Sequence, residues 1–205
     1  MNDKWLSVAM RLQSIAQAGL QYGKDPYDIA RYTELREIAA QLLAERTDLP
    51  PEKIQAVFCN ETGYQTPKLD TRAAVFSEGK ILLVHEADGT WALPGGWCDV
   101  DQSVASNTEK EVLEEAGLRV RAVRLIALQD WRLHNVRNYA HGVIKAFVLC
   151  ENLGGAFAEN PETTEARFFE KTALPAELAT QRSSKEQILL CFSAFENPDM
   201  PTQFD

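Results

Sequence analysis

The sequence predicts an α/β protein, with a small helical N-terminal domain followed by a mixed α/β sheet carrying few helices. Three observations predict it. Apolar residues recur at helical spacing through the first part of the chain, a polar connector interrupts them, and beyond it the pattern changes to period two. With 205 residues, 45% of them hydrophobic and 25% charged, the chain can bury one good-sized core and a smaller appendage.

Trp5, Val8, Ala9, Leu12, Ile15, Ala16 and Leu20 form the first helical stripe, which stops at Tyr22-Gly23. Asp25 then fits an N-cap and Pro26 the first position of a second helix, where its missing N–H costs nothing. Leu35, Ile38, Ala39, Leu42 and Leu43 give that helix its stripe, fading near Thr47. Pro50-Pro51 opens a short third helix with Ile54, Val57 and Phe58. So small a helical unit cannot bury its stripes alone, so they must pack on the main domain, on a second copy, or on both; a homodimer through these helices is the expectation. Residues 1–60 are read as this domain, 61–67 as a linker and 68–205 as the main domain.

In the main domain, Leu69, Thr71, Ala73 and Val75 alternate with Asp70 and Arg72, and the turn Ser77-Glu78-Gly79-Lys80 leads into Ile81 to Val84 as a hairpin. Asp88-Gly89 turns the chain into Trp91-Ala92-Leu93. A helix follows from Ser103, then strand-like runs Val120 to Leu128 and Val143 to Cys150 around an irregular segment, and a last short strand Ala166 to Phe169. Ser184 to Gln187 reads as a capping box for a terminal helix with Ile188, Leu189, Phe192 and Phe195.

Cys59, Cys98, Cys150 and Cys191 lie far apart without a C-x-x-C pair, so they suggest neither a zinc site nor a disulfide framework. The N-terminus lacks a basic segment followed by an apolar run, and no stretch approaches the roughly 18 apolar residues of a membrane span. A soluble, cytoplasmic protein without a membrane partner is expected. A net charge of −9 argues against bulk nucleic-acid binding, which needs a positive field.

The chemistry-bearing stretch is Leu93 to Leu118. Two glycines follow Pro94, and the helix beyond carries Glu111, Glu114 and Glu115 on one face, where like charges repel unless a cation compensates. The glycines let the backbone turn tightly and bring its carbonyls close to those carboxylates. An all-oxygen set suits a hard cation such as Mg²⁺, which shares its coordination with waters and substrate phosphates; the absence of Cys and His from the cluster disfavours zinc. The implied reaction is metal-assisted attack of water on a phosphoanhydride. A merely solvated acidic face is the plain alternative for the helix taken alone.

The stretch resembles the signature of Nudix hydrolases: G, five residues, E, seven residues, R-E-U-x-E-E-x-G-U, where U is bulky and aliphatic. Here it runs from Gly96 through Gln102 to Lys110-Glu111-Val112-Leu113-Glu114-Glu115-Ala116-Gly117-Leu118, in register. Gln102 and Lys110 stand where the family has Glu and Arg, a pair that props the metal ligands. Glutamine removes the charge and lysine the planar fork, although the Gln102 amide oxygen can accept from the Lys110 ammonium. The resemblance implies an α/β/α sandwich with a mixed sheet, and a Mg²⁺ or Mn²⁺ site at the Gly95 carbonyl, Glu111, Glu114 and Glu115. With GKDPYDIARY, TPKLDTRAAVF, ETTEARFF and PTQFD, it extends over nearly the whole chain, toward the subgroup that hydrolyses X-linked nucleoside diphosphates such as ADP-ribose and CDP-choline. The implied partner is a small nucleotide substrate. A nucleotide sensor of weak activity and an RNA 5′-end hydrolase are the alternatives.

Outside the signature, Glu162 and Glu165 lie on a loop before a strand, where the resemblance implies a further metal ligand or a base; Glu165 is preferred, with Glu111 as the other residue that would activate water and solvated loop carboxylates as the plain alternative. Arg72 is expected to meet phosphate, with a surface salt bridge as the alternative. Trp131, His134, Asn135, Tyr139 and His141 gather donors and aromatics for a base or ribose, Trp131 and His134 foremost, with loop decoration as the alternative for each.

Overall fold

In the structure, a computed structural model that describes residues 4–45, 54, 59, 62–135, 141–158 and 160–205, the chain divides into two compact units, Met1–Pro67 with Asn138–Gly142 and Lys68–Arg137 with Val143–Asp205. The first unit holds helices α1 (Lys4–Tyr22) and α2 (Pro26–Ala44). Asp25 caps α2 as expected, its carboxylate accepting from the N–H groups of Tyr27 and Asp28. Ala9, Ala39, Ala40, Leu43 and Ile54 form the buried cluster of this unit. Apart from Ile54, the expected third helix lies outside the described residues.

The second unit contains β1 (Lys68–Ser77), β2 (Lys80–Glu86), β3 (Trp91–Ala92), α3 (Val104–Ala116), β4 (Leu118–Asp130), α4 (Trp131–His134), β5 (Val143–Gly155), β6 (Thr163–Phe169), α5 (Lys185–Glu196) and β7 (Gln203–Phe204). The strand order is β3-β2-β1-β5-β4-β7, with β6 also pairing β2. Pairing is mixed: β1 runs parallel to β5 and β4 to β7, while β4–β5, β1–β2 and β2–β6 are antiparallel. Alternation along β1 builds two cores. Ala74 and Phe76 pack with Ile188 and Phe192 of α5, whereas Ala73 and Val75 pack with Val112 and Ala116 of α3. Helices therefore cover both faces, the expected sandwich. The short α4 and the pairing of β7 on β4 went unread in the sequence.

One end of this sheet gathers the N-terminal ends of β1, β5 and β6 and the C-terminal ends of β2 and β4. The Pro94-Gly95-Gly96 turn is fastened there, because the N–H groups of Thr71 and Ala73 donate to the carbonyls of Gly96 and Pro94, both at 2.8 Å. α3 starts from a capping box between Ser103 and Ser106 and ends at Gly117, in the left-handed region at φ 66°. A Cβ at Gly117 would lie 2.2 Å from the Ala156 carbonyl oxygen, so backbone closeness adds to the conformational demand. Gly117→Ala should therefore destabilise the protein by clearly more than the about 1 kcal/mol expected for Gly79→Ala, whose φ of 75° is similar but whose surroundings are open. Urea unfolding midpoints of the two variants check this; equal losses would refute the steric part.

Candidate active site

The Pro-Gly-Gly turn faces α3 at close range. Gly95, at φ 142°, has no room for a side chain, since a Cβ would sit 1.9 Å from the Thr71 carbonyl oxygen. Its N–H donates to Glu115 Oε2 at 2.8 Å. At Gly96 an added Cβ would come within 2.9 Å of Glu111 Oε2. Glu111 and Glu115 thus lie against the turn on the buried side of α3, and Glu114 on its exposed side. Burial pushes the Glu115 carboxyl up to about 8 and raises Glu111 as well. Glu109 has a structural task, accepting from the Ala122 N–H of β4 at 2.8 Å.

Lys110 does not pair with Gln102. Its ammonium lies 3.1 Å from Asp99, 3.1 Å from Glu114 and 3.8 Å from Glu111. The hydrogen bonds to Glu114 and Asp99 raise its pKa, which keeps it charged. Asp99 is held in turn: its N–H donates to Asn107 Oδ1 at 3.1 Å, and Asn107 Nδ2 donates to Thr71 Oγ1 at 2.8 Å and to the Trp97 carbonyl at 3.3 Å. The carboxylate expected from the signature's second position is supplied three residues earlier, on a loop that Asn107 braces.

The remaining nominated residues separate cleanly. Arg72 is buried, with Nε and Nη2 each donating to Asp70 at 2.8 Å and Nη1 to the Leu93 carbonyl at 3.2 Å. It braces the strand that carries the turn rather than facing open cleft. Glu165 pairs with Arg167, two residues further along β6 on the same face of the strand. Glu162, in contrast, lines a cleft of about 400 Å³ with Glu86, Ala87, Asp88 and Arg182. The loop bearing it is stapled to α3: Thr163 Oγ1 donates to the Glu115 carbonyl at 2.6 Å, and Asn160 Oδ1 accepts the N–H groups of Glu162 and Thr163 at 3.0 and 2.9 Å. Trp131 is 2% exposed, and His134 Nε2 lies 2.9 Å from Asp205 Oδ1 of the C-terminal segment. Asn135 Nδ2 donates to the Thr180 carbonyl and to Gln187. Tyr139 lies outside the described residues, and His141 belongs to the other unit.

Three residues escaped the sequence reading. Glu86 sits at a bulge between His85 and Glu86 that shifts the β2–β6 register and aims its carboxylate at the cleft, where Arg182 Nη1 meets it at 2.8 Å. Lys145, only 1% exposed, lies 3.5 Å from Asp70 beside Arg72, so two cations share one carboxylate. The alternation of charge at Asp70 and Arg72 with apolar neighbours was the available signal for that cluster; Arg182 had none.

Among the described residues, no three His, Cys, Asp or Glu side chains converge at metal-ligating distance. Lys110 holds Glu114, and the Gly95 N–H holds Glu115. The donor chemistry nevertheless fits a hard divalent cation: the set is all oxygen, and the burial-raised carboxyls of Glu111 and Glu115 hold their charge poorly until positive charge arrives. In sequence the Gly95 carbonyl lies between the two that β1 uses, in the turn whose N–H meets Glu115.

A sheet between helices with a glycine turn pressed on a carboxylate helix presents oxygen ligands suited to a divalent cation. Residues 66–190 match the NUDIX domain and residues 3–58 match the UDP-X-like, N-terminal oligomerisation domain. The chain belongs to the Nudix hydrolase family. It is 39% identical over 100% of its length, and 99% of the relative's, to YjhB of Bacillus subtilis (strain 168), whose name gives ADP-ribose pyrophosphatase as a provisional activity. A crystal structure of an ADP-ribose pyrophosphatase from Streptococcus suis 89-1591 shares 52% identity at a TM-score of 0.64, covering 68% of this chain and 100% of that one. A crystal structure of UDP-X diphosphatase shares 32% identity at a TM-score of 0.65, covering 100% of this chain and 99% of that one. No helix among the described residues is long and apolar enough to cross a membrane.

Two expectations follow. Asp99→Asn removes the anchor of Lys110, so Mg²⁺ affinity measured by calorimetry should fall about tenfold while the melting temperature hardly moves, the pair being partly exposed; unchanged affinity would remove Asp99 from the site. Burial lowers the Lys145 pKa to about 8, so in the folded state this lysine releases its proton before the unfolded chain does. Its full destabilising effect is present below pH 8 and fades as pH rises toward 10.5. Between pH 8 and 10 the wild type should therefore gain stability relative to Lys145→Met by up to about 1 kcal/mol per pH unit in urea unfolding.

Proposed function

We propose that this protein hydrolyses the diphosphate of a nucleoside diphosphate linked to a second group X, of the ADP-ribose or CDP-choline class, giving a nucleoside monophosphate and phosphorylated X. The observation that carries this reading is the glycine turn held against Glu111 and Glu115 at one end of the sheet. The relative matched over its whole length and the two solved structures support the substrate class through the activities their names give. The water oxygen forms a bond to phosphorus, the bridging P–O–P bond breaks, and the leaving phosphate departs with its oxygen. Glu111, Glu114, Glu115 and the Gly95 carbonyl would hold the divalent ion, Mg²⁺ or, in its place, Mn²⁺. Such an ion lowers the pKa of bound water and neutralises charge on the phosphoryl oxygens.

This chain's own residues do the rest. Gly95 donates to Glu115 and fixes its carboxylate, Asp99 and Lys110 set the exposed rim of α3, and Asn160 and Thr163 fasten the Glu162 loop to that helix. Glu162 is better placed than Glu165 to take the water's proton, because it faces the acidic cleft. Arg72 supports the turn through Asp70 and the Leu93 carbonyl. The N-terminal helices form a homodimer, a reading supported by the oligomerisation domain they match and by the outward-facing Ile15 and Ile38.

The rival reading, a nucleotide sensor, drew on Gln102 and Lys110; the Asp99 contact supplies the missing carboxylate and weakens that motive. Hydrolysis of RNA 5′ ends fits the acidic cleft and the net charge of −9 poorly. Incubating the protein with ADP-ribose, CDP-choline and UDP-linked sugars, with Mg²⁺, Mn²⁺ or chelator, tests the reading. Turnover should need the ion, and Glu115→Gln should lower it about 100-fold or more with the fold retained. Undiminished metal-dependent hydrolysis by that variant would sink the site assignment.

A further inference from the structure

The cleft beside the carboxylate helix presents an electrostatic problem to the proposed substrate. Glu86, Asp88 and Glu162 line it, and Glu111 and Glu115 lie close enough to influence those carboxyls. A diphosphate carries negative charge of its own and is repelled by such walls. A bound divalent ion offsets the carboxylates of α3, but the opposite wall needs a cation too. Among the described residues near this end of the sheet, Arg72 is committed to Asp70 and the Leu93 carbonyl, Lys145 is buried, and Lys110 is engaged by Asp99 and Glu114. Arg182 differs: its side chain lines the cleft and is 39% exposed.

Its backbone is rigidly held. The N–H groups of Arg182 and Ser183 donate to the Ala179 carbonyl at 2.7 and 2.8 Å, and Ser183 Oγ accepts the Leu93 N–H at 3.3 Å. Residues Glu177 and Ala179 pair with both backbone groups of Trp91 at 2.8 Å, so this loop hangs on the strand that runs into Pro94-Gly95-Gly96. The guanidinium is steadied at one nitrogen by the buried carboxylate of Glu86, leaving the rest of a planar, five-donor fork for another acceptor.

We infer that Arg182 grips a phosphate of the substrate's diphosphate, and that Glu86, aimed into the cleft by the β2 bulge, is the positioning residue that orients it. The inference rests on the proposed hydrolase reading and adds the phosphate-recognising side chain to it. An arginine fork donates two parallel hydrogen bonds to phosphate oxygens, which lysine in its place cannot reproduce.

The test compares wild type, Arg182→Ala, Arg182→Lys, Glu86→Gln and the Glu86→Gln/Arg182→Ala double variant. KM and kcat are measured on whichever of the panel compounds is turned over, and binding of α,β-methylene-ADP with Mg²⁺ by calorimetry. Arg182→Ala should raise KM and the dissociation constant about tenfold or more with a much smaller change in kcat, the mark of an interaction made in ground and transition states alike. Arg182→Lys should recover little of it, and Glu86→Gln should raise KM by a smaller factor. Removing Arg182 also leaves Glu86 buried without its cation, so a purely structural role would show as a lowered melting temperature. The double variant should regain that melting temperature and still bind poorly. Recovery of binding in the double variant, or wild-type KM and affinity in Arg182→Ala, would overturn the inference. Arg121→Ala, which breaks an exposed pair between Arg121 of β4 and Glu151 of β5, should match wild type. Absence of turnover by wild type on every compound would defeat the hydrolase reading instead, and the methylene-ADP comparison would then decide Arg182 by itself.

Discussion

One short hydrogen bond, from the Gly95 N–H to the buried carboxylate of Glu115, organises this end of the molecule. It demands a backbone turn without a side chain, because the space a Cβ would occupy belongs to the Thr71 carbonyl. It demands that β1 hold the turn from behind, which Thr71 and Ala73 do through their N–H groups. It also requires that α3 be fixed in height and rotation, which the Ser103–Ser106 capping box and the left-handed Gly117 achieve at its two ends. A carboxylate kept at 3% exposure with its pKa raised to about 8 is an uncomfortable resident of a protein interior. Its presence makes sense where a cation and a phosphate are to be received.

The exposed rim of the same helix shows how a family pattern tolerates departures. Gln102 in place of glutamate removes a charge, and another carboxylate stands near Lys110 instead. Asp99 supplies it from the loop, with Asn107 linking that loop to Thr71 of the same β1 strand that holds the turn. Lysine's compact charge is suited to this arrangement, since it reaches three carboxylates without the geometric demands of an arginine fork.

Much of this was legible in the sequence because it is local. Asp25, Ser103 and Ser184 cap the helices expected of them, and the spacing from Gly96 to Glu115 fixes which helix faces the turn. What was not legible depends on long-range placement. The bulge that aims Glu86 inward is a property of β2 and β6 together, and Arg182 matters only because its loop pairs with Trp91. Trp131 and His134 were nominated for their chemistry, but β7 and Asp205 engage that segment, and two paired residues leave almost no strand signal. That Glu162 lines the cleft while Glu165 pairs with Arg167 was likewise not readable, because it depends on Asn160, whose side chain accepts the N–H groups of Glu162 and Thr163 and shapes the loop.

The staple between the Glu162 loop and α3 carries a mechanical consequence. Thr163 and Asn160 grip the backbone carbonyl of Glu115 itself, so the loop and the helix form a single stiff jaw. Across from it, the loop holding Arg182 is laced to β3 and offers no hinge of its own. With both walls braced by hydrogen bonds, accommodation of a ligand here falls to side-chain torsions, which move in picoseconds to nanoseconds rather than the microseconds to milliseconds of a closing lid. Such a cleft meets its ligand with walls already in position, and only its side chains are left to adjust.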